Sequence, residues 1–79
     1  SGAGKLTPND DERRELQKNL RRLTQQAEEA ENKIGQLEDR KKKLEAELAD
    51  PATYGDNKLM QAKNDEYHRL KTELDQLQN

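Results

Sequence analysis

Leu16, Leu20, Leu23, Ala27, Ala30, Ile34, Leu37, Lys41, Leu44 and Leu48 follow one another at alternating steps of four and three residues. That is an a/d heptad seam, broken chemically only by Lys41. After Asp50-Pro51 a second seam begins: Met60, Lys63, Tyr67, Leu70, Leu74 and Leu77. A stripe this narrow suits one facing helix and cannot wrap a many-sided core.

Composition agrees. Only 28% of the 79 residues are hydrophobic and 41% are charged, with no Trp and no Phe. Such a chain is either disordered or a long helix pair, and the sustained 3.5-residue period selects the helix pair. The chain has no cysteine, so disulfides and thiolate metal sites are excluded. No apolar run approaches the roughly 20 residues of a membrane span, and no signal peptide is visible. Ser1-Gly2-Ala3-Gly4 reads as a cloning scar, and the chain as a piece of something larger.

The expected fold is all-α: a two-helix antiparallel coiled-coil hairpin over residues 5–79. The first helix is predicted over about 8–49. Thr7 is placed to cap it, Pro8 suits its first position and Asp10 completes a capping-box spacing. Asp11 and Glu12 add charge favourable to the helix dipole. Gly35 is its one weak point. Residues 50–56 are expected to be the only loop, because proline disfavours helical geometry in the residue before it. There Gly55 permits a positive φ, Asp56 or Asn57 caps the next helix, and Tyr54 folds back over the seam near Leu48.

The second helix is predicted over about 57–78. In an antiparallel register Leu48 faces Met60, Leu44 faces Lys63, Lys41 faces Tyr67, Leu37 faces Leu70, Ile34 faces Leu74 and Ala30 faces Leu77. Lys41 is expected to lay its stem along Tyr67, with a cation–π contact if the geometry allows. Leu16, Leu20 and Leu23 find no counterpart before residue 79. Either the second helix is cut short or this end meets another molecule. The first helix before about Gln26 should accordingly be more mobile than the hairpin.

Net charge is −2, but its distribution is banded. Arg14, Lys18, Arg21 and Arg22 share one outward strip of the first helix. Arg40, Lys42 and Lys43 form a second patch, with Lys41 at the seam. Strips of this kind hold phosphate backbones without reading sequence. The competing reading is a solvated coiled-coil face, in which Glu29–Lys33, Glu38–Lys42 and Asp39–Lys43 are helix-stabilising (i, i+4) pairs. Flanking acids and near-neutral total charge predict weak, salt-sensitive nucleic-acid binding. Catalysis has no support: His68 stands alone, and no nucleophile–base pair or metal-ligand cluster is present. Membrane binding is not expected, because the apolar stripe is consumed by the facing helix. No cofactor is expected, and the isolated chain should be monomeric.

Glu47-Leu48-Ala49-Asp50-Pro51, then Tyr54 and an amphipathic helix, resembles the C-terminal domain of ABC-F ATPases, especially the Uup-like members. Lys5-Leu6-Thr7 is similar to the Lys-Leu-Ser that often opens that domain, and Arg14-Glu15-Leu16 to the Arg-Glu-Leu that follows. Pro8 departs from a common aromatic, and there are extra residues before Arg14. The family's second helix usually continues into a Trp-Glu pair, which this chain stops short of. The resemblance implies a cytoplasmic ABC-F ATP-binding protein, linked to ribosomes or DNA, whose C-terminal coiled coil is a non-catalytic DNA- or RNA-binding extension. Its other partners would be the parent ATPase cassettes. No phosphate-binding loop lies in the chain. The alternatives are a spacer or protein-interaction coiled coil without nucleic-acid affinity, and a tRNA-binding helical arm.

Overall fold

The structure, a computed structural model, describes residues 9–79. Three helices follow in order: α1 (Asp10–Leu48), α2 (Pro51–Tyr54) and α3 (Asn57–Gln78). α1 and α3 pack as the expected antiparallel hairpin, with α2 in the turn. The expected start at Thr7 and Pro8 lies outside the described residues. Within them, Asn9 is the cap: its backbone is extended and its side chain accepts a 2.8 Å hydrogen bond from the Glu12 amide. Asp10, Asp11 and Glu12 then fill the first turn, where acids oppose the positive end of the helix dipole.

The turn differs from the expected plain loop. Asp50 is extended, as a residue before proline should be, and its side chain accepts from the Ala52 amide at 3.0 Å. With Pro51 at the first position, this cap starts the short helix α2. Gly55 has φ −75°, so a positive φ is not why glycine stands there. A Cβ at Gly55 would lie 2.9 Å from the Pro51 carbonyl oxygen, and close approach is the reason. Asp56 caps α3 as expected, accepting from the Leu59 amide at 3.2 Å. Tyr54 does not cover the seam and is 54% exposed; the residue buried beneath the turn is Thr53. A helical α2 turns the Thr53 face inward and the Tyr54 face outward.

The core is thin. Leu37, Leu44, Leu70 and Leu74 are buried, with Ile34 and Tyr67 packed against them. Among the described residues Leu44 alone is fully enclosed, at 0% exposure. Polar contacts on the two flanks fix the register. On one flank Arg40 binds Glu66 and Lys33 lies 3.8 Å from Glu73. On the other, Gln78 donates to Glu38 at 3.2 Å. Midway between the flanks, Leu37 stands level with Leu74 and Leu44 with Tyr67. The helices are thus shifted about one turn from the expected layers. None of the expected (i, i+4) pairs forms: Lys33 and Glu38 reach across to α3 instead. Side chains at seam-flanking positions meet the facing helix as readily as their own helix's next turn.

Candidate nucleic-acid interface

α1 is 39 residues long and α3 is 22, so α1 projects well beyond the end of α3. Along this arm Leu16, Leu20 and Leu23 are each 55% exposed, as expected for seam residues with no facing helix. Arg14, Lys18, Arg21 and Arg22 are exposed on the same arm, on the side away from those leucines. Arg14 makes a 3.2 Å contact with Asp11, both side chains largely in solvent, so the pair contributes little and leaves the guanidinium available. Among the described residues, Lys18, Arg21 and Arg22 have no carboxylate within ion-pair distance. Over about two turns the arm therefore presents these four cations, with Glu15 among them, on one side and leucines on the other.

The second patch divides. Lys42 and Lys43 are exposed and make no ion pair among the described residues. Arg40 is half-buried and held in a fork across the hairpin. Its Nε donates to Glu66 Oε1 at 2.7 Å and its Nη2 to Glu66 Oε2 at 3.0 Å, the bidentate geometry that suits guanidinium to carboxylate. Glu47 extends the cluster, with one oxygen 3.9 Å from Arg40 and the other 2.8 Å from Lys63 Nζ. That last contact is not aligned as a hydrogen bond, so its attraction is chiefly one of charge. Hydrogen bonding to Arg40 lowers the Glu66 pKa against the opposing effect of burial, with help from the Arg40, Lys63 and Arg69 charges. The same hydrogen bond raises the Arg40 pKa. Arg40 thus acts first as a cross-hairpin tie. Its position, one residue before the seam, carried that signal, but only the register could name Glu66.

A shallow groove opens on the opposite flank, lined by Lys41, Lys42 and Lys71 with Glu38, Glu45 and Asp75 over a Leu74 floor. Its charges balance, so it offers no net attraction for phosphate. The cation over the Tyr67 ring is Lys71, one turn along α3 and 5.6 Å from the centroid, rather than the expected Lys41. His68 meets Tyr67 edge-on at 6.0 Å. Among the described residues no three His, Cys, Asp or Glu side chains gather as a metal set, and no helix is long and apolar enough to cross a membrane.

Comparison with known proteins adds one match. The family model described as ABC transporter C-terminal domain covers residues 12–79. No curated protein and no solved structure matches the chain.

Proposed function

The chain belongs to the ABC transporter C-terminal domain family, and on that premise we propose that it is the non-catalytic, nucleic-acid-binding extension of a cytoplasmic ABC-F ATPase. The ABC-F assignment rests on the Asp50-Pro51…Tyr54 turn and the Arg14-Glu15-Leu16 segment, which resemble the Uup-like members. The nucleic-acid assignment rests on one observation: the exposed arm carries Arg14, Lys18, Arg21 and Arg22 on the side facing away from its leucines. Lys42 and Lys43 supply a secondary contact nearer the turn. Arg40 contributes only its remaining positive potential.

The ligand is a phosphate backbone of DNA or ribosomal RNA, held without sequence readout. The two tyrosines, the only aromatics beside His68, sit at the turn and in the hairpin, away from the strip, so base stacking does not assist. Four phosphate contacts on a duplex give a salt slope of about −3.6, or about a hundredfold loss of affinity between about 50 and 200 mM salt.

The test is retention of duplex DNA and RNA by the chain in low salt, against the R14E/K18E/R21E/R22E variant. Loss of binding in the variant, with wild-type helicity, is expected. Equal binding, or binding insensitive to salt, would sink the assignment. K42E/K43E should weaken retention less than the arm variant does.

A further inference from the structure

We propose that the two basic bands of α1 grip one B-form duplex together, at successive minor grooves one helical turn apart, with Glu28 and Glu29 over the major groove between them. This inference rests on the nucleic-acid reading above and adds to it the form of the ligand and the layout of the contact.

The layout follows from the heptad. Arg14, Arg21, Glu28, Gly35 and Lys42 stand at steps of seven along α1, and so do Glu15, Arg22, Glu29, Gln36 and Lys43. Steps of seven drift by only about 20° per heptad on a straight helix, so both rows run along the side away from the seam. Every residue of both rows is exposed. A helix laid on the leucines would leave this side open. Along it the charge alternates: basic from Arg14 to Arg22, acidic at Glu28 and Glu29, basic again at Lys42 and Lys43. Glu15 lies within the first band and Asp39 borders the second, so the first keeps the larger excess of cations.

At 1.5 Å per residue the first band is about 12 Å long, and the centres of the two bands lie about 36 Å apart. One turn of B-form DNA is about 34–36 Å. Its minor groove is narrow, about 6 Å, and its major groove about 12 Å wide. A helix lying along the duplex axis therefore sets the arm band across one minor groove, where the phosphate ridges of both strands crowd together. Lys42 and Lys43 then reach the ridges of the next. Glu28 and Glu29 fall about midway, over the mouth of the major groove, where no phosphate faces them. A single strand tracking the whole side would instead hold phosphates against both glutamates, which costs affinity. From Arg14 to Lys43 the contact spans about 13 base pairs.

Two duplexes test this by fluorescence anisotropy in about 50 mM salt: one of about 16 base pairs, longer than the span, and one of about 8, shorter than the distance between bands. K42Q/K43Q removes two of the six cations, so on the longer duplex affinity should fall at least about tenfold and the salt slope should go from about −5.4 to about −3.6. On the shorter duplex only one band is filled, and the same variant should change affinity by less than about threefold.

Uncharged methylphosphonates then locate the contact. Replacing the central phosphates of the longer duplex should leave affinity within about threefold, whereas the same number placed towards its two ends should cost at least about tenfold. Equal loss for K42Q/K43Q on both duplexes, or a central replacement as costly as the outer ones, overturns the two-point contact and leaves a plain basic strip. Absence of wild-type binding to either duplex overturns the nucleic-acid reading with it.

Discussion

Truncating Leu44 tests where the core lies. Leu44 is the one fully enclosed side chain among the described residues, at 0% exposure, between α1 and α3. Leu→Ala at buried sites costs about 2–5 kcal/mol, with the spread set by how far the surroundings collapse. Only two helices surround this site, and the long side chains of Lys41 and Tyr67 can relax into the space, so the lower half applies: about 2–3 kcal/mol. A chain of this size holds only about 4–12 kcal/mol in total, so L44A should remove a large share of it.

The control is L20A on the same helix. Leu20 is 55% exposed on the unpaired arm, and alanine is the better helix former, so the change should stay within about 0.5 kcal/mol. The assay is urea unfolding followed by helix circular dichroism at a dilution where the chain is monomeric, with midpoints compared at constant slope. A loss below about 1 kcal/mol for L44A, or equal losses at Leu44 and Leu20, would refute the assigned core.

Further tests address the glycines and the ion cluster. Gly35 has open space where a Cβ would stand and lies mid-helix, so G35A should stabilise by about 1 kcal/mol. Gly55 has an ordinary φ, yet a Cβ would meet the Pro51 carbonyl at 2.9 Å, so G55A should destabilise, by about 1 kcal/mol; thermal melts read both signs. Glu66 has a lowered pKa in the folded state, so its stabilising contribution is complete above its ordinary value of 4.5 and fades as pH falls through the lowered one. E66Q should flatten the stability–pH profile in that acid window, and an unchanged profile would remove Glu66 as its cause. The raised Arg40 pKa adds nothing to the pH dependence at neutral or acid pH, because the guanidinium is charged there in both the folded and the unfolded state.

Much of the fold was legible in the heptad steps. They located both helices, the break at Asp50-Pro51 and the unpaired stretch from Leu16 to Leu23, because a period-3.5 stripe has one physical use. Caps were partly legible. Asp56 was foreseen as one of two candidates with Asn57, whereas Asn9, the cap seen among the described residues, was not named, since several capping residues stand in a row before the first helix. The basic strip on the arm was legible because residues on a lone exposed helix have no distant partners to find. Arg40 was not: whether a cation faces solvent or a carboxylate 26 residues away depends on how two helices slide past one another.

The sequence by itself therefore determined the helices, their antiparallel return and the exposed arm, all consequences of local hydrogen bonding and apolar spacing. Tertiary structure decided the register, and with it every cross-hairpin contact. It tied Arg40 to Glu66, set Lys71 rather than Lys41 over Tyr67, and buried Thr53 instead of Tyr54. The heptad repeat nearly matches itself one turn along, so apolar pattern alone leaves neighbouring registers close in energy. The flanking ion pairs and the geometry of the α2 turn separate them.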